Sequence, residues 1–362
     1  MKKKIVFVIT SLNSGGAERV LANLVNTFSI DFEVHLILLY NEPLFYKLDQ
    51  TVTIHYLKAN YTPSKTIFHA LALNIYFIRK LIKIFRLNKY AVVIGFTKSV
   101  NVLSVISAKY LSVPCIISER NNPLVSLVNP IWNFLQYFIY SFSDALVVQT
   151  NFNKENYQKK LNSDIIAVIP NPISEDFLSL RKFYGERANV ILTVGRLDKN
   201  KNQRLLIEAF ANLNVGNWKL IIVGDGVLRN DYIGLTASLG IADKVEFVGN
   251  VSNVWDYYNQ AKIFAFTSNS EGFPNALLEA MSFGLPCIST DCDSGPAEII
   301  INDESGYLIE INNRMQLEDR LSQLINNQAI CDKFSQNAIS TTQKFNMFEL
   351  RKLWEVEIQK LL

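Results

Sequence analysis

Short runs of β-branched and aliphatic residues recur along the chain, separated by stretches whose apolar positions return at helical spacing. In the first half the runs fall at residues 5–9, 34–39, 91–94, 115–117 and 145–148. The pattern then restarts at 190–194, 219–223, 245–248, 263–266 and 286–289. Runs without strict polar and apolar alternation suit parallel strands buried on both faces. Two such blocks of alternating strand and helix predict an α/β fold of two doubly wound, Rossmann-like parallel-sheet domains. Ile169-Pro170-Asn171-Pro172-Ile173 marks the crossing between them, because proline removes backbone donors and stiffens the chain. The expected boundaries are 1–170 for the first domain, 171–345 for the second, and 346–362 for a terminal helix packing back on the first. Ligands of such sheets lie at the carboxyl ends of the strands, so an interdomain cleft is the expected active site.

With 362 residues, 49% of them hydrophobic and 19% charged, the chain can bury more than one core. Four cysteines are too few for a disulfide scaffold, and Cys287 and Cys292 lack a second pair at metal-ligand spacing; a reducing compartment fits. Lys2, Lys3 and Lys4 precede an apolar run too short for a signal peptide, which reads instead as a buried first strand. The aromatic-rich stretch 121–143 carries no charge, but Pro123, Asn129, Pro130, Asn133 and Gln136 argue against a spanning helix. Charge is uneven. Residues 1–180 hold 18 lysines and arginines against 11 aspartates and glutamates, and the remainder 18 against 22, so the first half is the basic one.

Three segments carry candidate chemistry. Strand one runs into Gly15-Gly16-Ala17-Glu18-Arg19 and a helical pattern, which places two residues without side chains at a helix amino terminus, where a phosphate or sugar could approach the amides. The plainer alternative is a tight turn, and the dinucleotide spacing G-x-G-x-x-G is absent. In the second block, Gly195-Arg196-Leu197-Asp198-Lys199-Asn200-Lys201-Asn202 follows a strand. Arg196 and Lys201 beside one strand end can converge on a diphosphate and offset charge on a leaving nucleotide, or belong to a solvated basic loop. Third, Ser270-Glu271-Gly272-Phe273-Pro274-Asn275-Ala276-Leu277-Leu278-Glu279 reads as a loop and a helix capped by Asn275, with Glu271 and Glu279 directed to one mouth. Paired acids suit ribose and sugar hydroxyls; the alternative is a surface carboxylate and a helix-start acid.

In these ordered motifs the chain resembles glycosyltransferase family 4, the retaining enzymes of GT-B fold that build bacterial surface polysaccharides, lipopolysaccharide O-antigen and lipid-linked oligosaccharides. The resemblance spans nearly the whole chain and includes Val223-Gly224-Asp225-Gly226 and Ser294-Gly295-Pro296-Ala297-Glu298-Ile299. It implies that Arg196 and Lys201 hold the donor diphosphate, that Glu279 binds ribose, and that Glu271, Gly272, Phe273, Pro274 and Asn275 meet the donor sugar. Gly15 and Gly16 would face the phosphates and the reacting centre. Glu18, Glu119 and Arg120 are candidate sugar or acceptor contacts. Where many relatives carry a histidine, this chain reads Ser118-Glu119-Arg120-Asn121-Asn122, so Arg120 either takes that position or pairs with Glu119 as loop structure.

The expected donor is a UDP-sugar carrying a hexose or N-acetylhexosamine, and the expected acceptor a polyprenyl-diphosphate-linked glycan. No cofactor or metal is expected: Asp291-Cys292-Asp293 spells D-x-D but reads as a loop away from the diphosphate cradle, and His35, His55 and His69 read as structural. Other readings are a GT-B epimerase or phosphorylase and a catalytically silent scaffold in polysaccharide assembly; a nucleic-acid partner lacks basic and aromatic surface motifs. Residues 67–85 repeat Ile67, Leu71, Ile75, Ile78, Ile82 and Phe85, with Arg79, Lys80, Lys83, Arg86 and Lys89 clustered at the end of the stretch. Such a helix either docks on an anionic membrane from the cytoplasmic side or faces the core. A cytoplasmic, peripheral location on the inner face of the plasma membrane is the corresponding expectation.

Overall fold

The computed structural model describes residues 2–13, 15–61, 66–124, 130–182 and 187–362, of residues 130–133 the backbone alone; Ser14 and Asn129 therefore lie outside the described residues. The chain divides into two units, Met1–Pro172 with Phe348–Leu362, and Ile173–Met347.

In the first unit the strands are β1 (Lys4–Ile9), β2 (Glu33–Tyr40), β3 (Thr53–Lys58), β4 (Val92–Phe96), β5 (Cys115–Ser118), β6 (Ala145–Val148) and β7 (Ile166–Val168). They form one parallel sheet in the order β3-β2-β1-β4-β5-β6-β7. Helices α1 (Gly16–Phe28), α2 (Ile67–Asn88), α3 (Lys98–Tyr110), α4 (Pro130–Tyr140) and α5 (Asn151–Gln158) fill the connections. Successive side chains of β1 serve both faces, as the period of two requires. Val6 and Val8 join Phe77, Leu81 and Phe85 of α2 and Val100 of α3, while Phe7 on the other face meets Phe28 of α1 and Phe96. That two-sided burial is why the strand sequences show no alternation.

The second unit runs α6 (Glu175–Ser179), β8 (Ala188–Val194), α7 (Gln203–Asn212), β9 (Lys219–Val223), α8 (Arg229–Ser238), β10 (Val245–Gly249), α9 (Val254–Gln260) and β11 (Ala261–Phe266). It continues with α10 (Asn275–Ser282), β12 (Cys287–Thr290), α11 (Pro296–Ile299), β13 (Tyr307–Ile309), α12 (Arg314–Asn326) and α13 (Gln328–Thr342). Its sheet is also parallel, ordered β10-β9-β8-β11-β12-β13. The last helix, α14 (Met347–Gln359), returns to the first unit, where Trp354 is fully buried and stacks on Phe96 at 5.9 Å.

Each sheet reverses its winding once, at β1/β4 and at β8/β11. Such a switch point opens a crevice beyond the carboxyl ends of the two strands, which is where open α/β sheets take ligands. The loops after β1, β8 and β11 are the ones that carry Gly15, Arg196, Lys201 and Glu271.

Helix α2 departs from the single apolar stripe expected. Phe77, Leu81 and Phe85 face the core, so Phe85 is not part of an outward face, and Ile78 and Ile82 are only partly exposed. Ile67, Phe68, Leu71 and Ile75 in its first half are exposed, as are Arg79, Lys80, Lys83 and Arg86. Ile75 and Phe77 lie about 200° apart around the helix, so the exposed Ile75 stands nearly opposite the buried Phe77, and the face toward the core is the one that carries Phe77, Leu81 and Phe85. Among the described residues no helix is long and apolar enough to cross a membrane.

Candidate active site

In the second unit, β8 ends in a loop whose form is set by backbone packing. Gly224 has a φ of +129° and approaches Gly195 so closely that a Cβ there would lie 2.1 Å from its carbonyl oxygen; one on Gly226 would lie 2.4 Å from that of Leu197. The amide of Leu197 donates to the Asp225 carbonyl at 3.0 Å. The Gly224-Asp225-Gly226 motif is thus the surface against which the Gly195-Arg196-Leu197 turn is moulded.

Lys201 lies beneath that turn. Its ammonium donates to Glu271 Oε1 at 2.6 Å and sits 5.1 Å from the centre of the Phe266 ring. The side chains are 22% and 9% exposed, so the pair is shielded and little screened by salt. Its backbone is held on both sides: Asp198 Oδ1 accepts its amide at 2.9 Å, and the Thr267 hydroxyl lies 3.1 Å from its carbonyl oxygen. Arg196, largely exposed, donates from Nε to Asp198 Oδ2 at 2.5 Å.

Glu271 stands on the loop between β11 and α10. Gly272 and Pro274 of that loop are fixed by the Ser294-Gly295-Pro296 motif: the Ser294 hydroxyl donates to the Gly272 carbonyl at 3.0 Å, and Gly295, with a φ of +103°, lies against the Pro274 ring. Phe273 is buried. Asn275 does not cap α10 as expected: Pro274 occupies the cap position, Asn275 is the first helical residue, and no side chain caps the helix. Proline has no side-chain acceptor to offer the helix amides, which stay directed at the loop. Glu279 is buried one turn into α10, where Oε2 accepts the Tyr258 hydroxyl at 3.1 Å.

The D-x-D segment is closer to this loop than its sequence position suggests. It follows β12, and burial, with the charge of Glu271 adding to it, pushes the Cys292 thiol up to about 12. The cause is tertiary: Ser294 and Gly295 fold the segment onto residues 272–274. Among the described residues no group of three His, Cys, Asp or Glu side chains could hold a metal ion.

In the first unit, Gly15 is the cap residue of α1 and Gly16 its first residue, with the Tyr46 hydroxyl donating to the Gly15 carbonyl at 2.9 Å. Glu18 curls back over Gly15, and burial raises its carboxyl above the usual range. Glu119 and Arg120, after β5, are buried and point to different partners. Glu119 Oε1 accepts the Tyr140 hydroxyl and, at 2.9 Å, the Asn101 amide. Arg120 lies 4.7 Å over the Phe96 ring and donates to Asn171 Oδ1 at 2.7 Å, while the charge of Glu119 acts on its guanidinium. His35 and His55 contact each other at 2.9 Å, with the Tyr90 hydroxyl 2.7 Å from His35 Nδ1.

Sequence reasoning passed over Asp198, Thr267 and Tyr258, each of which holds a predicted site residue in place. Asp198 alone left a signal, an acidic residue two positions before an Asn in a loop, which is the setting of an Asx turn. Thr267 and Tyr258 act across sequence separations of 66 and 21 residues, beyond any local pattern.

Two parallel α/β units, each with its loop motifs at its own switch point, define a glycosyltransferase of GT-B fold. The chain belongs to glycosyltransferase family 4: residues 14–177 match the model "Glycosyltransferase Family 4" and residues 179–341 the model "Glycosyl transferases group 1". It is 32% identical over 354 residues, 97% of each chain, to the "GalNAc-alpha-(1->4)-GalNAc-alpha-(1->3)-diNAcBac-PP-undecaprenol alpha-1,4-N-acetyl-D-galactosaminyltransferase" of Campylobacter jejuni. It is 26% identical to the amylovoran biosynthesis glycosyltransferase AmsD of Erwinia amylovora, covering 98% of this chain and 99% of that one. Among solved structures, Anabaena HepE in complex with UDP shares the fold with a TM-score of 0.83 at 16% identity, covering 99% of this chain and 100% of that one.

Proposed function

We propose that this glycosyltransferase moves a hexose or N-acetylhexosamine from a UDP-sugar, with retention and without a metal, to a polyprenyl-diphosphate-linked glycan in bacterial surface polysaccharide synthesis. The observation that carries the reading is the Lys201–Glu271 pair at the β8/β11 switch point, beside Arg196. A cation there can take a phosphate oxygen as the sugar bond breaks, and a carboxylate can face the sugar as its ring gains positive charge. The UDP-bound HepE complex supports the nucleotide, and the undecaprenol-linked substrate in the name of the Campylobacter relative supports the acceptor class. Arg196, Lys201, Glu279 and the loop 272–275 serve the donor, and Gly15, Gly16 and Glu18 the reacting centre.

The acceptor lipid implies work at the inner face of the plasma membrane. Exposed Ile67, Phe68, Leu71 and Ile75 with the basic residues that follow supply an apolar and cationic surface for it, and Phe134 and Phe138 of α4 add exposed apolar area. Release of UDP from a panel of nucleotide sugars, with and without a polyprenyl-diphosphate-linked acceptor and in excess EDTA, tests the reading. Acceptor-dependent release that survives chelation is expected. Activity lost in EDTA and restored by magnesium or manganese overturns the metal-independent mechanism, and release from no UDP-sugar overturns the donor.

A further inference from the structure

We infer that Asp198 is a positioning residue of the diphosphate cradle, holding Arg196 and the Lys201 backbone so that a diphosphate binds by displacing carboxylates already seated on both cations. This rests on the reading of Arg196 and Lys201 as donor-phosphate residues, and it assigns a role to a side chain outside that set.

The two oxygens of Asp198 divide the work. Oδ1 accepts the amides of Asn200 at 3.0 Å and Lys201 at 2.9 Å, a short turn closed by a side chain in place of backbone. Oδ2 takes Arg196 Nε at 2.5 Å. The turn is braced from β11 as well: the Asn269 amide donates to the Asn200 carbonyl at 2.7 Å, and the Thr267 hydroxyl reaches the Lys201 and Asn202 carbonyls. Asn202 closes the turn with a φ of +49°. With its backbone fixed on both sides, Lys201 projects onto Glu271.

Each cation therefore carries an internal carboxylate, Arg196 that of Asp198 and Lys201 that of Glu271. The arrangement offsets the charge of each positive group and keeps each in a defined direction. Burial alone would raise the Asp198 carboxyl, but the Lys201 amide, the Arg196 guanidinium and the Asn200 amide outweigh it and hold it below the usual range. Asp198 is thus a charged competitor near neutrality. A diphosphate, with charge on two adjacent groups, can exchange for both carboxylates together.

Calorimetric titration of the full chain with UDP separates the two oxygens. Asp198→Asn keeps an acceptor for the turn amides and loses the charge on Arg196, so UDP should bind about threefold to fivefold tighter. Asp198→Ala loses the turn as well, so UDP should bind about tenfold weaker than to the wild type. Opposite signs for the two variants are the signature of this role, and the Asn variant keeps the test valid if the Ala variant folds poorly. UDP affinity unchanged or weakened in Asp198→Asn overturns the inference while leaving the cradle in place. A wild-type protein that binds no UDP overturns the cradle itself and this inference with it.

Discussion

Lys201 and Glu271 lie 70 residues apart in sequence and meet at 2.6 Å through the parallel pairing of β8 and β11. The contact makes Lys201 a preset charge, since most of the side-chain entropy lost in holding it is already spent on folding. A preorganised cation facing a departing diphosphate acts more strongly in the transition state than in the ground state.

Lys201→Ala should therefore lower kcat/KM for the donor by about 100-fold or more, the range seen when one donor to a developing anion is removed. Steady-state kinetics with varied UDP-sugar reads it. Turnover near the wild-type value in a folded variant would place the cradle elsewhere.

Much of the fold was legible because burial on both faces forces β-branched runs, and those runs name the strands from residues 5–9 onward. The glycine motifs were legible as loops at strand ends. What Gly224, Gly226 and Gly295 do was not, since each answers to a backbone or ring brought up from a distant segment. The same holds for the D-x-D segment, which Gly295 folds onto Pro274. In α2 the apolar positions cover a broad arc, in which Ile67, Leu71 and Ile75 centre about 80° from Phe77, Leu81 and Phe85, and a period near 3.6 merged the two sets into one stripe. Only the sheet beneath it distinguishes them.

Glu119 gives a pH dependence of stability. Burial raises its carboxyl above the ordinary value, and the hydrogen bonds from Tyr140 and Asn101 oppose that without cancelling it. An acid whose folded pKa is raised favours the folded state most at low pH, and its contribution is lost as pH rises from the unfolded pKa through the folded one. Glu119→Gln, which keeps the acceptor for Tyr140, should melt higher than the wild type at pH 8, with the difference vanishing near pH 4. Melting temperatures across that range check it; a variant less stable at pH 8 and equally so at pH 4 would show that the carboxylate is not strained.

The proposed membrane docking through α2 makes a separable prediction. Phe68 is 79% exposed and Leu71 45%, and neither serves the core, so Phe68→Asp with Leu71→Asp should leave the fold intact. Each buried apolar side chain is worth about 1.5–3 kcal/mol, so the double variant should lose at least tenfold in affinity for anionic vesicles. Flotation with phosphatidylglycerol vesicles at low and high salt measures this. Equal flotation of the variant and the wild type would exclude α2 as the docking surface.

The two glutamates should separate kinetically, because the structure gives them different settings. Glu279 is buried in α10 with Tyr258 donating to it, a fixed acceptor suited to ribose hydroxyls whose charge does not change during reaction. Removing such a contact weakens ground state and transition state alike. Glu279→Gln keeps an acceptor for Tyr258, so the fold is preserved while a charged hydrogen bond to ribose is lost; donor KM should rise about tenfold or more with kcat little changed. Glu271 sits on the preceding loop, its charge shared with Lys201, and in the proposed reaction it meets the sugar ring as that ring becomes positive. Glu271→Gln should lower kcat about tenfold to 100-fold and leave KM within about threefold, since the charge matters most as the bond breaks. Residual activity is expected, because the leaving phosphate can itself take the acceptor proton in a retaining transfer. If Glu271→Gln altered KM alone while Glu279→Gln abolished kcat, the two roles would be exchanged and the sugar would have to lie over α10 instead of the loop.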